Sequence, residues 1–139
     1  MWELEIEAKT QYLEQVRAFV DGHLEMFDCP VKAKMQIDMA VEEIFVNISQ
    51  YAYTPKTGKV TIRMEMTKEP LFVVLTFLDN GIPYNPLAKA DPDVTLPAQE
   101  REIGGLGIYM VKNIMDDVAY AYQDGRNILK LRKKIELQE

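Results

Sequence analysis

VEEIFVNISQYAY, residues 41–53, carries two patterns at once. Ile37, Val41, Ile44, Phe45 and Ile48 recur at i, i+3, i+4 and i+7, the spacing of one apolar side of an α-helix. At 100° per residue, Glu43, Asn47 and Gln50 project together from the other side, a face interrupted by Met39 and Val46 and carrying no lysine or arginine. A stripe of this kind packs a helix onto a core. A carboxylate and an amide one turn apart on the opposite side need a separate reason.

Outward from this helix, predicted from about Val31 to Tyr53, the chain alternates in character. Trp2, Leu4 and Ile6 interleave with Glu3, Glu5 and Glu7, the period of a strand with one buried face. Thr10 is the expected N-cap of a helix whose Leu13, Val16, Val20, Leu24 and Phe27 share a side, ending before Cys29-Pro30. TPKTG breaks the chain, and Val60, Ile62, Met64 and Met66 form a second alternating strand. EPLFVVLTFLD, residues 69–79, is almost continuously apolar up to Asp79, as in a central strand. Residues 80–105 are rich in Pro, Gly and Asp without an apolar period, and are read as a loop with a mobile lid at about 86–103. A helix over Leu106–Met115 and a hairpin of Val118–Tyr122 and Ile128–Ile135, turned at QDGRN, complete the order. Striped helices beside one-faced strands give an α+β fold: a two-layer sandwich whose mixed, mostly antiparallel sheet is covered on one face by about three helices. With 139 residues and no internal repeat, residues 1–139 read as a single domain.

Composition excludes several functions. A net charge of −6 opposes nucleic-acid binding, which requires a basic surface. The basic C-terminal segment alternates Lys130, Arg132 and Lys134 with Leu129, Leu131 and Ile135, so it reads as a half-buried strand. The apolar runs are too short for a bilayer, and the acidic start has no signal-peptide layout; no membrane association and a cytoplasmic location are expected. Cys29 has no partner cysteine, and His23 no companion ligand at metal spacing.

Three short constellations carry chemistry. Glu43 and Asn47 lie side by side on a helix, an arrangement also found on solvated faces. In LDNGIPYNP a strand delivers Asp79 to a turn with Gly81; the carboxylate can accept from an exocyclic amine and the glycine admits a flat ring, although Asp-Asn-Gly also makes ordinary turns. Gly104, Gly105 and Gly107 stand at the entrance to a helix, where free amides and the helix dipole favour phosphates; a glycine hinge is the bland alternative. Neither the dinucleotide fingerprint nor the P-loop, with its lysine, fits this loop.

In this order the three constellations resemble the Bergerat ATP-binding fold of gyrase, heat-shock chaperone ATPases, histidine kinases and mismatch-repair ATPases. More narrowly, the chain resembles the small anti-sigma-factor serine/threonine kinases of bacterial partner-switching systems. Their E-x-x-x-N box is matched by Glu43 and Asn47, their D-x-G-x-P-[FY] box by Asp79, Gly81, Pro83 and Tyr84, and their G-G-L-G box by Gly104, Gly105, Leu106 and Gly107. The resemblance covers practically the whole chain. It implies ATP and Mg²⁺ as cofactors, Asn47 as the metal ligand, and Glu43 as the catalytic carboxylate that either positions a nucleophile or takes its proton. Asp79, Gly81 and residues 104–107 would bind the nucleotide. It further implies an antagonist of the anti-anti-sigma type as partner, a sigma factor as a second candidate, and a homodimer. Departures are visible: SQYAY replaces a frequent late histidine, and GRN replaces G-T-T in the last hairpin, so that Asn127 stands where a threonine supports the adenine-binding Asp. No phosphoacceptor-histidine helices are present. The alternative from another class is a non-catalytic nucleotide-binding switch that sequesters a protein partner.

Overall fold

The computed structural model describes residues 1–88 and 106–136. Strand β1 (Trp2–Glu7) is followed by helices α1 (Leu13–Glu25) and α2 (Val31–Tyr51), strands β2 (Lys59–Thr67) and β3 (Phe72–Asp79), helix α3 (Leu106–Ile114), and strands β4 (Asp117–Gln123) and β5 (Arg126–Lys134). The strands form one sheet in the order β1-β2-β3-β5-β4, and all four pairings are antiparallel. The expected parallel component is therefore missing among the described strands: β2–β3 and β4–β5 are hairpins, and β1 and β5 join from opposite sides against their neighbours' direction.

The expected apolar stripes face the sheet. Val16, Val20 and Leu24 of α1 are fully buried, as are Ile37, Val41 and Phe45 of α2, with Ile44 nearly so. They meet the inward residues Val60, Ile62, Met64, Val73, Leu75, Phe77 and Leu131, while Ile108 and Val111 of α3 close the same core. Alternate residues such as Glu3, Arg63 and Lys130 face away from it, and Arg63 donates to Glu3 at 2.9 Å. This one-sided burial follows from the period of two along each strand.

Two boundaries differ from expectation. Thr10 does not cap α1; Thr10–Tyr12 form a 3₁₀ turn, and α1 starts at Leu13 with no side-chain cap. Helix α2 stops at Tyr51 rather than Tyr53. The Tyr53 ring lies against Gly58, and its hydroxyl donates to the Lys59 carbonyl at 2.6 Å, so the residue anchors the following loop. The β4–β5 turn is as expected, with Asp124 and Gly125 both at positive φ (53° and 77°), the geometry of a two-residue hairpin turn. Among the described residues no helix is long and apolar enough to cross a membrane.

In the groove between α1 and α2, burial pushes the Asp38 carboxyl up to about 7, reinforced by its hydrogen bond with Asp21 and by the charge of Asp21. Nearby, Arg17 bridges Glu14 and Glu42 at 3.1 and 2.6 Å. His23 stacks on Trp2 with centroids 4.1 Å apart.

Candidate functional site

The sheet register aligns one row of side chains at the end of β3. Ile6, Val60, Asp79, Asn127 and Tyr122 are successive cross-strand partners, and Asp79 follows Phe77 by two, so it shares Phe77's helix-covered face. Helix α2 passes over this end of the sheet. Its Glu43, Asn47 and Gln50, together with Val46, line a cavity of about 490 Å³ that Asp79 also lines. Ile44, Phe77 and Leu129 are among its apolar lining, and Ile82, Tyr84, Pro86, Tyr120 and Asn127 are also on its wall. The volume lies within the range of small-molecule sites, roughly 300–1,000 Å³.

Asp79 is 6% exposed and accepts from the Gly81 amide and from Asn127 Nδ2, both at 2.9 Å and both on Oδ1. Asn127, 7% exposed, also donates to the Ile82 carbonyl at 2.8 Å, and its Oδ1 accepts from the Tyr84 amide at 3.1 Å and from the Tyr120 hydroxyl. The turn after Asp79 is pinned a second time by the end of α2. Ile82 N donates to the Ala52 carbonyl at 3.0 Å, and Asn80 N donates to the Tyr53 hydroxyl at 2.7 Å. Burial, and beyond it the nearby Asp79 charge, push the Tyr53 hydroxyl up, while the Asn80 amide acts the other way.

The glycines have different reasons. A Cβ on Gly81 would overlap the Ala52 carbonyl oxygen and lie 2.7 Å from the Ala52 carbonyl carbon. Close passage of α2's last turn thus demands glycine here, a reason distinct from the admission of a flat ring. A Cβ on Gly107 would overlap the Glu43 carboxylate, so this acid rests against the first turn of α3, where the helix dipole favours negative charge. The structure therefore brings Glu43, Asn47 and Asp79 to one cavity, with Gly81 and Gly107 in contact with its walls. Leu106 opens α3. Gly104, Gly105 and the expected lid fall outside the described residues, apart from Pro86–Ala88, which form a 3₁₀ turn. Asn127, Tyr120 and Tyr53 are the site residues that the sequence did not single out as a unit.

The histidine kinase-like ATPase domain family matches residues 6–133. The chain belongs to that family. Among curated relatives, the serine-protein kinase RsbW of Bacillus mycoides (strain KBAB4) is 27% identical over 131 residues, covering 91% of this chain and 81% of the relative. The serine-protein kinase RsbW of Bacillus cereus (strain B4264) is 28% identical over the same length and coverage. Among solved structures, a chain of the SiaB–SiaC complex from Pseudomonas aeruginosa superposes with a TM-score of 0.52 at 16% identity, over 95% of this chain and 89% of that one. At that identity the likeness concerns the fold alone.

Proposed function

We propose that this family member is an ATP-dependent serine/threonine protein kinase of the anti-sigma type, which phosphorylates a small antagonist protein. The observation that carries the proposal is the convergence of Glu43, Asn47 and Asp79 on one cavity, in a chain whose relatives are named serine-protein kinases. The residues fit a purine nucleotide. Asp79 offers an acceptor beside an apolar wall, and the α3 N-terminus, with Gly107 in its first turn, would receive phosphates together with Gly104, Gly105 and Leu106. Among the described residues no group of three His, Cys, Asp or Glu could hold a metal by itself. That suits Mg²⁺, which commonly takes one or two protein ligands and the rest from phosphates and water. Asn47 would be its protein ligand, and the metal would supply neutralisation of phosphate charge.

In this reading Asn47 and the α3 amides hold the triphosphate, and Asp79 orients the base. Glu43 positions the attacking serine hydroxyl or takes its proton as the new O–P bond forms and the β–γ bridging bond breaks, releasing ADP. The side-by-side placement of Glu43 and Asn47 lets both serve one phosphate. The partner is an antagonist of the anti-anti-sigma type, with a sigma factor as second partner; a homodimer and a cytoplasmic setting complete the proposal.

The test is transfer of labelled phosphate from ATP to a co-expressed antagonist, read by mass and by label. Glu43→Gln keeps size and hydrogen-bonding capacity, so nucleotide affinity should survive while transfer falls by roughly 10² to 10⁴. Wild type that binds ATP and partner yet never transfers phosphate would replace the kinase with a sequestering switch.

A further inference from the structure

Two apolar residues interrupt the polar side of α2, and the nucleotide cavity uses only one of them: Val46 lines it, whereas Met39 does not. Met39 is 43% exposed and continues a stripe in which Val31 and Met35, eight and four residues earlier, are 72% and 60% exposed. Ile37, Val41, Ile44 and Phe45 make the core contacts of α2 from its other side, so packing gives no reason for apolar side chains here. An exposed apolar row running about 18 Å from Val31 to the turn of Glu43 marks a surface that another molecule covers. At 100° per residue, Met35, Met39 and Val46 fall between Asp38 on one flank of α2 and Glu43 on the other. Beyond Met35 lies the groove between α1 and α2, a space of about 520 Å³ lined by Glu14, Arg17, Ala18, Asp21, Met35 and Asp38. The cations there are engaged elsewhere: Arg17 bridges Glu14 and Glu42, and Lys34 is held by Glu25 at 2.8 Å. Among the described residues Asp21 and Asp38 form no ion pair, and Oδ1 of each has no hydrogen-bond donor.

We propose that this crest of α2 is the docking surface for the phosphoacceptor protein: apolar side chains of the partner cover Met35 and Met39, an arginine or lysine beside them enters the groove to meet Asp21 and Asp38, and the acceptor serine is thereby set at Glu43. The inference rests on the kinase reading and deepens it, by giving the chemistry of the partner's face. Continuity places the partner, because Met39 precedes Glu43 by one helical turn and a molecule seated on Met39 has its edge at the catalytic carboxylate. Charge complementarity gives the partner's sign. Glu14, Asp21, Asp38 and Glu42 surround the single guanidinium of Arg17, so the groove receives a cation and repels a carboxylate. The aliphatic stem of that cation would rest on Met35 and Ala18 while its head meets the two carboxyls. Methionine suits such a face, since its flexible thioether repacks against an apolar surface. Asp38 and Glu43 are about 8 Å apart along the axis and on opposite flanks, so the partner straddles the helix, with its basic residue on one side and its serine on the other.

The experiment is calorimetric titration of the full chain, loaded with Mg²⁺ and a non-hydrolysable ATP analogue, with the purified antagonist as probe at pH 8, so that docking is read apart from transfer. The double variant Met35→Gln/Met39→Gln keeps helix-forming side chains of similar length and removes the apolar face. Its affinity for the antagonist should fall roughly tenfold or more, its KM for the antagonist should rise in step, and its affinity for Mg²⁺-ATP should hold. Asp38→Asn should lower antagonist affinity about tenfold without loss of fold. Each surface arginine and lysine of the antagonist is then changed in turn to glutamine. One of these changes should cost wild type about tenfold and Asp38→Asn less than about twofold, the mark of a direct pair. Wild-type antagonist affinity in the double methionine variant would overturn the docking surface while leaving the kinase reading intact, and so would a wild-type dimer that this variant turns into a monomer in sedimentation, because a second copy would then cover the crest. If no basic residue of the antagonist couples to Asp38, the stated partner chemistry is overturned. A crest-dependent antagonist that wild type binds but never phosphorylates would uphold the docking surface and overturn the kinase reading.

Discussion

Gly81→Ala tests how the base of the cavity is built. The added methyl would overlap the Ala52 carbonyl oxygen and come within 2.7 Å of both the Ala52 carbonyl carbon and Cβ, the first two of them main-chain atoms at the end of α2. No rotamer change can relieve a clash with main chain, so the turn and the helix end must part. That separation breaks the Ile82 N–Ala52 O bond, worth about 1 kcal/mol net. Backbone displacement at a packed contact adds about 2 kcal/mol, for a total near 3. For a chain of 139 residues this corresponds to a fall in Tm of roughly 10 °C by differential scanning calorimetry. Nucleotide affinity should weaken in parallel, because the Gly81 amide is one of the two donors to Asp79. Gly107→Ala is the control. There the obstacle is the Glu43 carboxylate, the far end of a side chain that can swing aside, and alanine favours a helix over glycine by about 1 kcal/mol. Stability should hold or rise while phosphate transfer falls. A Gly81→Ala protein melting within about 2 °C of wild type, less than 1 kcal/mol, would refute the claim that α2 dictates this glycine.

Three further outcomes follow from particular contacts. The Asp38 carboxyl is raised to about 7 in the fold from 3.8, so the folded state binds the extra proton and the stabilisation present below pH 4 is lost as pH rises through 7. Asp38→Asn should flatten this loss and leave the protein more stable than wild type at pH 8 in urea titrations; an unchanged pH profile would contradict the raised Asp38 carboxyl. Tyr53→Phe deletes a hydroxyl that joins the Asn80 amide to the Lys59 carbonyl, and should cost about 1–2 kcal/mol of unfolding free energy by urea denaturation. Glu43→Gln should bind nucleotide with near wild-type affinity in calorimetry while losing transfer.

The parts of this fold that the sequence discloses are those where burial is one-sided. The α2 stripe of Ile37, Val41, Ile44 and Phe45 and the alternation of Val60, Ile62 and Met64 exist because one face meets the core, and that requirement writes a period into the chain. Boundaries are less legible because local contacts decide them. Thr10 looks like a cap, yet a 3₁₀ turn intervenes, and Tyr53 leaves α2 to hold Asn80 and Lys59. Within the site, Glu43, Asn47 and Asp79 were readable from spacing and resemblance. Asn127 was visible only as a departure, because its meaning comes from the β3–β5 register. The Asp124-Gly125 turn sets β4 against β5, but nothing local tells that Asn127 will lie opposite a residue 48 positions earlier. Gly81 was legible as a glycine that must be there, and its contact with Ala52 emerges only in three dimensions.

The central claim is that the cavity between α2 and the end of β3 binds ATP through Asp79, and calorimetric titration with Mg²⁺-ATP tests it most directly. Wild type should bind one ATP per chain. At a hundredfold excess of nucleotide over Kd, the folded state should gain about 2.7 kcal/mol, a thermal shift that runs parallel to the heat signal. Asp79→Ala should abolish both while remaining folded by circular dichroism. Absence of heat and thermal shift with wild type at millimolar ATP, or an Asp79→Ala protein that binds as wild type does, would contradict the account.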